Sequence, residues 1–222
     1  MNMTLHISRR ALRCAALAAL LLPAAAFLLT WVRPLAAIPC VLAIAAAFIL
    51  YGRKREQADL FGHTEDDFEL PLSALLAVVL CALAWTFFSG IGGCFYQNED
   101  HYGRNAIFHD LLNHDWPVYF EGTSYALDYY VGFWILPALI GKLFAVLLGA
   151  SWLWPAANAA LFVQTAWFLV LTFLLLLSIV QVRSLGKVCL SLVLFVLFSG
   201  MDVLMARYNP EAWRHPIEWW AQ

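Results

Sequence analysis

Tyr125-Ala-Leu-Asp-Tyr-Tyr-Val-Gly-Phe-Trp-Ile-Leu-Pro-Ala-Leu-Ile-Gly-Lys-Leu-Phe-Ala-Val-Leu-Leu-Gly-Ala150 decides how this chain is arranged. The stretch is long and apolar enough to cross a bilayer, which takes about 20 residues of helix. It also carries Asp128, Tyr129, Tyr130, Pro137 and Lys142. Asp128 and Lys142 would each cost about 2.5–3.5 kcal/mol near mid-bilayer on insertion scales. If the stretch crosses, Arg183 and Lys187 fall on the outer side. If it lies at the outer surface, or dips in without crossing, they fall inside, where Lys and Arg concentrate. The second arrangement is the expectation.

The surroundings are those of a membrane protein. Apolar residues make up 63% of the 222 and charged residues 13%, against typical values of about 45–50% and 25%. So few charges could not cover a water-soluble domain, and so much apolar material excludes disorder. A formal net charge of −2 makes no case for nucleic acid. Cys14, Cys40, Cys81 and Cys189 lie inside apolar runs, with Cys94 at the edge of a polar segment. They read as small apolar fillers, not as a disulfide or zinc framework.

Five further segments reach spanning length: Ala11–Val32, Leu35–Gly52, Pro71–Gly90, Pro155–Val182 and Val188–Met205. The expected fold is therefore all-α and polytopic, with these five as transmembrane helices. Arg9, Arg10 and Arg13 before the first span, and Arg53, Lys54 and Arg55 after the second, place the N-terminus in the cytoplasm. The first run is too long for the apolar core of a cleaved signal peptide, and a retained hairpin is expected. Residues 1–70 then form an N-terminal hairpin with a solvated acidic connector, Glu56–Leu70. Residues 71–222 form the remaining core, with an outer loop 91–124 and an interfacial helix 125–150.

The outer loop holds the residues capable of chemistry. Glu99 and Asp100 are adjacent acids at the mouth of a span, suited to act as a general base or to ligate a hard divalent cation. From Gly103 the loop reads as a short amphipathic helix with Ile107, Phe108, Leu111 and Leu112 on one stripe, lying along the interface. If it starts a turn earlier, His101, Asn105 and His109 share another face. Pro117 ends it by disfavouring helical geometry at Trp116.

This order of features resembles the polytopic glycosyltransferases of the GT-C fold, which use polyprenyl-phosphate sugars and include protein O-mannosyltransferases and the lipid A aminoarabinose transferase. Gln97-Asn98-Glu99-Asp100, the following helix and Asp115-Trp116 are similar to that transferase's first outer loop. Tyr129-Tyr130-Val131-Gly132-Phe133-Trp134 through Gly141-Lys142-Leu143-Phe144 is similar to the aromatic outer helix that follows in such enzymes. Asp202 fits the place of a later acid at the outer end of a span. The acids here read Glu-Asp where the transferases mostly read Asp-Glu, and Ala126-Leu127-Asp128 stands where they carry a proline. Gly90–Gln222 more closely resembles uncharacterised bacterial multi-pass membrane proteins, through Asn105-Ala106-Ile107, Trp116-Pro117-Val118 and Ile217-Glu218-Trp219-Trp220.

The resemblance implies sugar transfer on the outer face of a bacterial plasma membrane. It makes Glu99 or Asp100 the base. It gives His101, Arg104, Asn105, Lys142, Asp202 and Glu218 as contacts to substrate, Arg104 being the nearest outer cation for a phosphate. The implied partners are the bilayer and a polyprenyl-phosphate sugar; a divalent cation is the only cofactor the acids suggest. Having fewer spans than most enzymes of that fold, the chain is expected to be the N-terminal portion of one or a short form. The rival readings are a transporter or lipid-handling protein and a non-catalytic scaffold.

Overall fold

A computed structural model of the chain describes residues 3–53, 67–97 and 100–198. Helix α1 (Arg9–Trp31) starts where the Ser8 hydroxyl accepts a hydrogen bond from Ala11 N–H over 3.2 Å, satisfying one of the orphan donors of a helix start. A tight turn at Val32 and Arg33 leads to α2 (Pro34–Arg53), with proline at its first position, where the missing N–H costs nothing. Then follow α3 (Leu72–Phe88), α4 (Asp100–Asn113), α5 (Val131–Leu148), α6 (Leu153–Val180) and α7 (Leu185–Phe198). Short 3₁₀ turns at Ile91–Gly93 and Ala150–Trp152 precede α4 and α6.

The chain is helical as expected, with one two-stranded addition. Strand β1 (Thr4–Ser8) pairs antiparallel with β2 (Asp67–Pro71), Thr4 opposite Pro71 and Ser8 opposite Asp67. The end of the expected solvated connector is thus a strand whose Phe68 and Leu70 are fully buried. The two-residue alternation of a strand is short here and hidden among acids. The expected helix over 125–150 is also shorter at its start: Tyr119 and Ala126 pair in an isolated bridge, and helix begins only at Val131.

Four helices are long and apolar enough to cross a membrane, namely α1, α2, α5 and the run Ala150–Val180. The apolar helices α3 and α7 are shorter.

Two buried clusters lie along the bundle. One joins Leu12 of α1, Phe68 and Leu70 of β2, Ala74, Val78 and Ala82 of α3, Val170–Leu177 positions of α6 and Val188 and Leu192 of α7. The other joins Phe108, Leu111 and Leu112 of α4, Val131, Trp134 and Ala138 of α5, and Ala157 and Leu161 of α6, with Phe27 and Trp31 of α1 packed against it. Helices α1 and α6 pass through both clusters, whereas α5 enters only the second. Its start is tied to α6 by Gln164 Nε2 donating to Phe133 O over 2.8 Å. Further along, Gly141 lies against Leu153 and Ala157. The helix therefore runs antiparallel beside the first half of α6 and stops there. The turn ending α3 meets α6 at Asn158 and Phe162, so the chain from that turn to the start of α6 leaves from and returns to one end of the bundle.

The charges divide accordingly. Arg9, Arg10, Arg13, Arg53, Arg183 and Lys187 lie at or near the end capped by the β-sheet. Arg33, Arg104 and Lys142 lie at the other, with the acids Asp100, Asp110, Asp115, Glu121 and Asp128.

Candidate functional site

Helix α4 starts one turn earlier than Gly103, the earlier of the two starts its sequence allows. The expected stripe is buried: Phe108, Leu111 and Leu112 are almost wholly enclosed, with Ile107 packed beside them. The stripe packs against α5 and α6. The helix ends at Asn113, ahead of a cis Trp116–Pro117 peptide. Trp116 Nε1 turns back to donate to Leu111 O over 2.8 Å.

Beside the first turns of α4 lies a cavity of about 740 Å³. Asp100, His101, Arg104 and Asn105 line one wall, Ile91, Phe133, Trp134 and Leu161 are apolar lining, and Tyr129 and Tyr130 stand at its edge, largely exposed. Asp100 occupies the first turn of α4, where the helix dipole favours a negative charge. Tyr130 closes the start of α5 in a left-handed conformation, φ 54°. Its ring meets that of Tyr129 edge-on, 4.3 Å between centroids.

Four of the expected site residues thus share one cavity, and others do not. Lys142, an expected substrate contact, is not among the residues that line it. Its ammonium donates to His114 O and sits 4.6 Å from the centre of the Trp116 ring, so it braces α5 against the loop after α4. His109 also leaves the cavity: its Nδ1 lies 3.2 Å from Asp110 Oδ1 and its ring 5.9 Å from Trp154. Glu99, Asp202 and Glu218 lie outside the described residues. Among the described residues no group of three or more His, Cys, Asp or Glu is placed to hold a metal ion.

One participant entered the sequence reading only as part of a motif, with no role of its own. Gln97 lines the cavity; its Nε2 donates to Gly90 O over 2.8 Å and its Oε1 accepts from Asn105 Nδ2 over 2.9 Å. A glutamine in a polar loop carries no periodic signal, and the two partners are known only once the turn after α3 is folded.

Compared with protein-family models, with curated proteins and with solved structures, the chain matches none. The fold and composition define a helical membrane protein. Its cavity, at the bundle end away from the β-sheet, combines a carboxylate, a guanidinium and aromatic rings.

Proposed function

We propose that the chain is a membrane glycosyltransferase of GT-C-like design, or the N-terminal portion of one, that takes a sugar from a polyprenyl-phosphate donor on the extracytoplasmic side. The sheet-capped end carries Arg9, Arg10, Arg13, Arg53, Arg183 and Lys187, and the bias of Lys and Arg toward the cytoplasm puts that end inside. The cavity then opens outside. In this arrangement α1, α2, α3, α6 and α7 cross and α5 does not.

The observation that carries the reading is the sharing of one cavity by Asp100, Arg104 and an apolar, aromatic wall. Transfer from a lipid phosphate needs a base to take the acceptor's hydroxyl proton, a cation to stabilise charge growing on the leaving phosphate, and entry for a greasy tail. Asp100, with Glu99 beside it in sequence, supplies the base. Arg104 supplies a planar, permanently charged partner for phosphate oxygens. Ile91, Phe133, Trp134 and Leu161 suit the isoprenoid carbons next to the phosphate. The acceptor oxygen attacks the anomeric carbon, the bond from that carbon to the phosphate oxygen breaks, and the proton passes to the carboxylate.

The test is the double variant E99A/D100A in membranes supplied with polyprenyl-phosphate sugars. Transfer should disappear while membrane abundance stays the same. Unchanged transfer would falsify the proposal. Donor binding in the parent without any transfer would reassign the cavity to lipid handling.

A further inference from the structure

We propose that Gln97 is the positioning residue of this site, a latch that holds the N-terminal half of α4, and with it Asp100 and Arg104, in place on the bundle. Its consequence for sugar transfer rests on the reading above; its consequence for geometry does not.

The hydrophobic anchors of α4 are unevenly placed. Phe108, Leu111 and Leu112 are buried, and all lie in its second half. In the first half Asp100, Tyr102, Gly103 and Arg104 are exposed and His101 and Asn105 only half-buried. Apolar packing therefore fixes the far end of the helix and leaves the chemically useful end to polar contacts. The Gln97 amide supplies one of them, accepting from Asn105, while its donor is held by Gly90 O. One side chain thereby joins the end of α3 to the second turn of α4.

The backbone it joins needs such a tie. Gly90, Gly92 and Gly93 have φ of 76°, 81° and 74°, a region that glycine enters freely and other residues rarely do. At Gly90 the chain folds back so closely that a Cβ would lie 2.5 Å from Tyr96 O. At Gly92 it is braced on α6, where a Cβ would lie 3.0 Å from Asn158 O. A glycine turn alone is conformationally permissive. Braced on α6 at one glycine and pinned by Gln97 at another, it becomes a defined mount for α4. Asn105, expected to touch substrate, has its amide N–H committed to this mount.

The experiment uses the full chain with its native cysteines replaced by alanine and spin labels at Tyr102→Cys and Ser151→Cys. Both positions are exposed and neither lines the cavity. The parent should give one narrow distance between α4 and the start of α6. Gln97→Leu, similar in size but without polar groups, should broaden it. Asn105→Ala should broaden it to the same degree, and Q97L/N105A no further. Gln97→Glu keeps the acceptor for Asn105 but loses the donor to Gly90, and should broaden it as well, since either bond alone leaves the link open; it and N105A give the answer if Q97L does not accumulate. In transfer assays Q97L should lower kcat on the order of a hundredfold, the scale of a 1 Å misplacement, with the donor KM changed far less. A distribution that stays narrow in Q97L, or a fall in kcat without broadening, overturns the latch. Broadening in a protein that transfers no sugar in any form upholds the latch and removes the transferase reading.

Discussion

The indole N–H of Trp31 donates to the carbonyl oxygen of Leu127 over 2.7 Å, and the Trp31 ring lies 5.6 Å from that of Trp116. The last turn of α1 thus grips both the loop after α4 and the loop entering α5. Leu127 is buried, and its carbonyl accepts this indole N–H. Trp31→Phe keeps a ring in place and removes the N–H; an unsatisfied buried acceptor costs about 1–3 kcal/mol. The thermal midpoint in detergent should fall accordingly, and a midpoint equal to the parent's would show that the bond contributes nothing.

Gly141 lets α5 approach α6 closely. A Cβ there would lie 2.7 Å from both Ala157 Cβ and Leu153 O, and neither can move without shifting α6. Gly141→Ala should therefore destabilise by about 1–3 kcal/mol, the usual cost of overpacking. At Gly132, on the same helix, a Cβ meets nothing within 4 Å. There the same change should be neutral or stabilising by up to about 1 kcal/mol, since alanine favours helix over glycine. Chemical denaturation of the two variants side by side checks the contrast.

The path of α5 can be read from outside the cell. Ser124 and Ser151 flank α5, and Ser184 lies between α6 and α7; all three are exposed. With native cysteines removed, Ser124→Cys and Ser151→Cys should both react with a membrane-impermeant thiol reagent applied to intact cells. Ser184→Cys should react only after the membrane is opened. Opposite behaviour of positions 124 and 151 would mean that α5 crosses.

Arg104 and Lys142 should separate binding from stability. Arg104 lines the cavity. Arg104→Gln should lower kcat/KM for the donor about tenfold or more, as expected if a charged hydrogen bond to phosphate of about 1.5–3 kcal/mol is lost, without lowering the thermal midpoint. Lys142 braces Trp116 and His114 instead. Lys142→Met should destabilise by about 0.5–2 kcal/mol, the span of a cation–π contact, seen as a lower midpoint, and leave kcat/KM unchanged. An equal effect of both on kcat/KM would return Lys142 to the site.

Much of this could be read in advance because it depends on local properties. Hydropathy marked the apolar helices, since twenty apolar residues in a row have few other fates. The spacing of Phe108, Leu111 and Leu112 marked the buried face of α4, and Pro117 marked the region of its end. The carboxylate and cations of the outer loop were visible as residue types. The pairing of Thr4–Ser8 with Asp67–Pro71 was not, because the strands are short and more than fifty positions apart. Nor were the different surroundings of two cations at the same end of the bundle, Arg104 beside the cavity and Lys142 against His114 and Trp116.

Composition and the order of apolar runs, then, determined by themselves that this chain lives in a membrane as a set of helices, because burial from water is proportional to apolar surface wherever it sits in the chain. Contact between distant segments decided the rest: that α5 stays beside the first half of α6, that Asp100, His101, Arg104 and Asn105 share a cavity, and that Gln97 ties Gly90 to Asn105. Hydrogen bonds and close packing act over a few ångströms, so their partners exist only after the helices have met.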